Sequence, residues 1–265
     1  MNELQQVVAA SWRYEKPLVD THVGDLAWWG REPDPDYRVW HERGEPVAWG
    51  WNNGELWFHV RADRRGQGFE DEVLGWFEGD TAWTLDRDAH KIAALERAGF
   101  AAVPGRGFAH LVRALDELPP ITVPEGYRLR HVAGDDVPRR VTVQRAAFTS
   151  TMTDEKYRRL RGTWPYREEL DVVVEAPDGS FVAFCLAWID QENAAGELEP
   201  VGTHPDHRRR GLASAASLEA LGRLRELGAD TCVVYGSDRP DYQGPLALYT
   251  GLGFESRASH VRYER

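Results

Sequence analysis

From Tyr127 onward, apolar and polar positions change period in a regular order. Tyr127–Val132 predicts a short strand, and Asp136–Phe148 a helix with Asp135 or Asp136 as its N-cap. Asp154–Gly162 predicts a second, charged helix. Asp171–Glu175 and Phe181–Ile189 read as strands flanking Ala176-Pro-Asp-Gly179, which is hairpin-turn chemistry. Glu197–Thr203 follows as a strand. In the predicted helix Gly211–Leu227, residues Leu212, Ala215, Leu218, Leu221, Leu224 and Leu227 form an apolar ridge suited to packing on a sheet. Thr231–Tyr235, Pro245–Leu252 and His260–Tyr263 complete the pattern as strand, short helix and strand. Strands that meander and then alternate with helices imply a mixed α/β fold.

The first half echoes this order. Val47–Trp51 and Glu55–Val60 predict strands joined at Asn52-Asn53-Gly54, and Arg61–Gly68 leads into a helix reaching about Glu78. Ala82–Leu85, Ile92–Ala98 and Phe108–Leu115 then read as strand, short helix and strand. Three prolines and a glycine within Leu118–Gly126 break both helix and strand, so this stretch reads as a linker. The expectation is a diverged tandem duplication, with one domain over 1–118 and another over 119–265.

Composition narrows the classes. The chain has 265 residues, 42% of them hydrophobic and 28% charged, which excludes a disordered or collagen-like chain. The longest apolar run, Phe181–Ile189, is far shorter than the ~20 residues of a membrane-spanning helix, and no export signal opens the chain. Cys185 and Cys232 lie in apolar strands and read as buried thiols of a reducing cytoplasm. A net charge of −11 argues against a general nucleic-acid binder and is compatible with a cationic small-molecule partner. Nine of the eleven tryptophans (Trp12, Trp28, Trp29, Trp40, Trp49, Trp51, Trp57, Trp76 and Trp83) fall in the first half. They read either as a core of bulky residues or, for Trp28, Trp29, Trp49 and Trp51, as an aromatic wall facing the second half.

Candidate chemistry concentrates in Val201-Gly-Thr-His-Pro-Asp-His-Arg-Arg-Arg-Gly-Leu-Ala213. Three arginines alone are an ordinary solvated run. A glycine followed by small residues opens a helix directly behind them, and free N–H groups at a helix N-terminus bind phosphate. Neither a Walker loop nor a Rossmann fingerprint fits, because Gly211 is not followed by Lys-Ser/Thr and Asp71 stands where Gly66-Gln-Gly68 would need its third small residue. His204 and His207 lack further spaced ligands, so no metal is expected.

This segment resembles the acyl-CoA loop of the GNAT acetyltransferase superfamily, Gln/Arg-x-x-Gly-x-Gly/Ala. Ala247-Leu-Tyr-Thr-Gly-Leu-Gly-Phe254 resembles its second signature. The tandem layout is similar to the mycothiol synthase group of two-domain acetyltransferases. The resemblance implies two tandem GNAT-like domains, each a central mixed sheet flanked by helices, the first shortened and degenerate. It implies acetyl-CoA as co-substrate, with Val201, Gly202 and Thr203 pairing with pantetheine and Arg208, Arg209, Arg210, Gly211, Leu212, Ala213 and Ser214 around the pyrophosphate. It also implies Tyr249 as the acid that protonates the leaving thiolate and Glu197 as the base, with Glu199 second on the same strand face. Tyr249 also suits an aromatic core, and the two carboxylates also suit cation binding or solvent. Tyr242 and Pro245 depart from the asparagine and alanine that the family favours there.

Aligning Arg65 with Arg208 and Gly68 with Gly211 sets Glu70 against Ala213, Leu95 against Tyr249 and Gly54 against Glu197. The first half is therefore expected to bind no CoA. The functional expectation is a cytoplasmic N-acetyltransferase acting on a small-molecule amine, as monomer or homodimer, with no nucleic-acid or membrane partner. A non-catalytic acyl-CoA binder or sensor is the alternative.

Overall fold

A computed structural model describes residues 2–237 and 244–265. Tyr242 lies outside the described residues, as does the side chain of Arg106. The chain opens with helices α1 (Glu3–Glu15) and α2 (Val23–Trp29), then strands β1 (Asp36–Glu42), β2 (Glu45–Asn52) and β3 (Leu56–Val60). Next come α3 (Phe69–Trp76), β4 (Thr81–Leu85), α4 (Ala89–Arg97) and β5 (Ala101–Ala114). After an irregular link, the second half holds β6 (Arg128–His131), α5 (Val137–Phe148), α6 (Asp154–Arg161), β7 (Asp171–Glu175), β8 (Phe181–Asp190) and β9 (Ala195–Thr203). It closes with α7 (Leu212–Glu226), β10 (Thr231–Ser237), α8 (Gly244–Gly251) and β11 (Glu255–Glu264). The elements expected from Tyr127 onward and from Val47 to Leu115 are all present. The pattern did not reveal α1, α2 and β1.

The eleven strands of the described residues form one mixed sheet in the order β1-β2-β3-β4-β11-β5-β10-β9-β8-β7-β6. The two halves therefore exchange strands at their seam. The chain's last strand, β11, lies antiparallel between β4 and β5, and β5 in turn pairs antiparallel with β10. Two parallel contacts are short. β3 meets β4 only at Leu56↔Ala82, and β9 meets β10 only from Ala195↔Thr231 to Glu197↔Val233. Beyond Glu197 no described strand pairs with the β10-facing edge of β9, at the centre of the second half.

Helices cover both faces. α7 packs on one face through Leu212, Ala216, Leu221 and Leu224, while α5 and α6 cover the other with Val141, Tyr157 and Leu160 against Phe184 and Trp188. Trp40, Phe58, Val73 and Leu95 fill the first half beneath α3 and α4. α1 starts with a reciprocal cap between Asn2 and Gln5 and buries Leu4, Val7, Val8 and Trp12 along one face. That face rests on Trp49 and Trp51 of the first half and on Ala195 and Val233 of the second. The tryptophans thus serve both expected roles: Trp40 and Trp76 pack against each other in the first-half core, and Trp12, Trp49 and Trp51 pack across the seam.

Candidate active site

The open edge of β9 borders a cavity of about 1050 Å³, walled by β9, β10, α7, α8 and the segment after α5. At its phosphate-competent end the chain makes a short turn at Pro205–His207. Arg209 then adopts φ 63° and Gly211 φ 78°, two left-handed residues directly ahead of α7. Left-handed residues alternating with ordinary ones form anion-binding nests, and the helix dipole adds to them. Gly211 has open space where a Cβ would stand, as a backbone cradle requires. These residues fit the pyrophosphate and pantetheine of a coenzyme A thioester.

Most of the site residues expected from the sequence meet here. Glu199, Val201, Gly202, Thr203, Arg208, Arg209, Gly211, Leu212, Ala213, Ser214 and Tyr249 all line the cavity. Arg208 is held by the carbonyls of Thr203 and Ala147. Arg210 turns away instead, its guanidinium 2.8 Å from the Tyr127 hydroxyl, so only its main chain remains near the nest. Tyr249 is 6% exposed, its ring against Phe254 at 5.9 Å.

Glu199 lines the cavity at a bulge in β9. The pairing with β8 shifts between Cys185 and Ala187, leaving Glu199 and Pro200 out of register. The Glu199 carbonyl accepts a hydrogen bond from the Trp188 indole at 2.7 Å. Burial and the nearby Asp25 push its carboxyl up to about 7, against a smaller opposing pull from Arg31.

Glu197 stands one step behind the cavity wall and is fully buried. Burial, with Glu199 nearby, raises its carboxyl to about 8 against the pull of a hydrogen bond from Asp25. Asp25 is raised too, first by burial and then by Glu197. His22 Nδ1 lies 3.2 Å from Glu197 Oε2 and already accepts the Gly24 N–H at 3.1 Å. A ring nitrogen that accepts there carries no proton, so the Glu197 contact is a hydrogen bond when Glu197 holds one. Burial also lowers the His22 pKa, which keeps the imidazole neutral. The deep carboxyl pair is thus a proton-holding cluster.

Sequence reasoning missed His22, Asp25, Arg31 and Tyr235. α2 and its N-cap supply the first two, with Trp28 in the cavity wall and Arg31 stacked over Trp28 at 4.0 Å. α2 can lie this close to β9 because residue 24 is glycine: a Cβ there would stand 2.4 Å from both Glu197 Oε2 and Trp188 Cγ. The only local sequence signal is the acid three residues after His22, which completes a capping box. Tyr235 lines the cavity from β10 with its hydroxyl buried and unpartnered by any described group.

The pattern of the acetyltransferase (GNAT) family matches residues 141–254. A mycothiol acetyltransferase of Kytococcus sedentarius is 30% identical over 206 residues, 73% of this chain and 66% of that protein. The chain belongs to the GNAT acetyltransferase family. Another similar GNAT relative, a mycothiol acetyltransferase of Saccharomonospora viridis, is 28% identical over 234 residues, 82% of this chain and 75% of that one. This GNAT chain thus spans about two thirds to three quarters of these curated relatives. Its fold is shared over 99% of its length with a GCN5-related N-acetyltransferase from Sphaerobacter thermophilus (91% of that chain, TM-score 0.67, 20% identity). It is shared to the same extent with a tandem GNAT protein from the clavulanic acid biosynthesis pathway (93% of that chain, TM-score 0.66, 14% identity). The second likeness agrees with the tandem GNAT-like architecture. Among the described residues no cluster of His, Cys, Asp or Glu could hold a metal, and no helix is long and apolar enough to cross a membrane.

Proposed function

We propose that the protein is an acetyl-CoA-dependent N-acetyltransferase acting on a small primary amine, with one working site in the second half capped by α2 of the first. The observation that carries this reading is a single continuous cavity. It runs from the Gly211 nest past the open Val201–Thr203 edge to Glu199 and Tyr249, a carboxyl and a phenol bordering the same space. Acyl transfer from a thioester to an amine needs a proton removed from the nucleophile and one supplied to the leaving sulfur.

Glu199 takes the amine proton. A carboxyl poised at about 7 is matched to that task near neutral pH, whereas an ordinary carboxylate would be a weak base. Glu197, whose carboxyl sits at about 8, stays largely protonated and holds Asp25 and the floor of the site in place. Tyr249 hydrogen-bonds and then protonates the leaving thiolate. Main-chain N–H groups of Val201–Thr203 orient the thioester carbonyl. Trp28 and Phe108, both from the first half, line the same cavity. Aromatic side chains beside the Glu199 carboxyl favour a cationic amine.

Free-thiol release from acetyl-CoA tests this directly, with glucosamine, spermidine, kanamycin, alanine amide and the acceptor of the mycothiol acetyltransferases as a panel. Release with at least one amine, cut about 100-fold but not abolished in Glu199→Gln, is expected. Acetyl-CoA binding without amine-dependent release on any arm would favour an acyl-CoA-binding or sensor protein instead.

A further inference from the structure

The first half contains a counterpart of the cofactor groove, and side chains of the chain itself fill it. Val201 stands ten residues before the left-handed Gly211 (211 − 10), and Phe58 ten before the left-handed Gly68 (68 − 10). In the second half the Val201 segment borders open cavity. In the first, the Phe58 carbonyl accepts a hydrogen bond at 2.6 Å from Lys91 Nζ, which α4 inserts into the groove. Lys91 is 1% exposed, its ammonium 4.4 Å from the Phe58 ring centroid and ion-paired to Asp20. The loop ahead of α3 is closed as well. The Glu70 carboxylate takes the Gly66 N–H at 3.0 Å, and Arg65 is paired to Glu15 and faces Asp88 at 3.7 Å.

What Lys91 holds matters for the other half. Asp20 lies in the short link between α1 and α2, two residues before His22. Its carboxylate also accepts from His59 Nδ1 at 2.8 Å, and its carbonyl accepts from His260 Nε2 at 2.8 Å. Burial works against that carboxylate, but Lys91 and His59 keep it well below the usual range. Along the same link, His110 Nε2 donates to the Pro17 carbonyl at 3.0 Å and the Trp12 indole donates to that of Thr21 at 2.9 Å. Helix α4 and strands β3, β5 and β11 therefore pin residues 17–22 at several points. The next helix carries His22, Asp25 and Trp28 into the second half.

We infer that the first-half groove has become the mount for α2, and that Lys91, Asp20 and His59 are positioning residues for the acceptor end of the site. The inference rests on the acetyltransferase reading above. Removing Lys91 alone strands a buried carboxylate and threatens the fold, so the test variant is the double exchange Lys91→Met with Asp20→Asn, which removes both charges. It is compared with wild type by hydrogen exchange of residues 17–29, by calorimetry with acetyl-CoA, and by steady-state kinetics on whichever panel amine the wild type acetylates fastest.

The expected result is about tenfold faster exchange in residues 17–29 and a fall of about tenfold or more in kcat/KM for the amine, as a shift of order 1 Å produces. The acetyl-CoA KM should stay within about twofold, with one acetyl-CoA bound per chain. Unchanged exchange with unchanged amine kinetics would overturn the inference. So would an acetyl-CoA KM that rises in step with that of the amine, which is general loosening, or two acetyl-CoA bound by the wild type. If the wild type acetylates no amine, the acetyltransferase reading fails, and the exchange and binding measurements still decide the mount.

Discussion

Gly24→Ala isolates the contact between α2 and the second half. The added methyl would meet Glu197 Oε2 and Trp188 Cγ at 2.4 Å and Trp188 Cβ at 2.6 Å. Heavy atoms in good contact sit ~3.5 Å apart or more, so something must move by about 1 Å. Trp188 is fully buried with its indole tied to the Glu199 carbonyl, and Glu197 is locked to Asp25 and His22. The helix is the part that yields. Overpacking of this kind costs about 1–3 kcal/mol. For a chain of this size that is a fall in Tm of roughly 2–6 °C. The same displacement carries Trp28 away from the cavity and Asp25 away from Glu197 and Glu199, and a 1 Å error at a positioned group costs up to ~100-fold in rate. Thermal melts and thiol-release kinetics under saturating acetyl-CoA would read both effects, with the acetyl-CoA KM nearly unchanged. Wild-type stability together with wild-type kcat/KM for the amine would show that α2 does not shape the site.

Three further outcomes are expected. Tyr249→Phe should lower kcat by about 100-fold or more while sparing the acetyl-CoA KM, as loss of a proton donor does; an unchanged kcat removes Tyr249 from the chemistry. The amine kcat/KM should rise with pH through about 7, following Glu199, and this limb should vanish from the residual activity of Glu199→Gln. A rise that persists in that variant assigns the titration elsewhere. Glu197, raised to about 8 when folded, binds a proton that the unfolded chain releases near ~4.5. Its contribution is therefore fully present below about 4.5 and is lost as pH rises through about 8. Melts from pH 5 to 9 should show wild-type Tm falling more steeply than that of Glu197→Gln, and parallel curves would contradict the raised value.

The second half was legible because its signals are local. Turn residues at Ala176–Gly179, the small residues opening α7 and the leucine ridge along it each act within a few positions, and the cavity assembles around them. α1 could have been read as well, since Asn2 and Gln5 form a capping box ahead of apolar positions 4, 7, 8 and 12. α2 could not. It has seven residues, a histidine at its N-cap and burial on nearly every side, so no periodic stripe marks it. The partnership of His22 with Glu197 spans 175 residues and follows from the position of α2 across the seam, which no local pattern encodes. The bulge at Glu199–Pro200 likewise carries no signal in the strand alternation.

The exchange of final strands gives the irregular link after β5 an unexpected property. Cutting the chain between residues 118 and 126 would not release two independent halves, because β11 of the later fragment lies between β4 and β5 of the earlier one. Each fragment alone would expose long unpaired strand edges, and each is the other's complement. A chain nicked there should remain a noncovalent pair, and two separately made fragments should regain the site only on mixing. The seam therefore makes this protein a natural candidate for a split enzyme whose activity reports the meeting of its two parts.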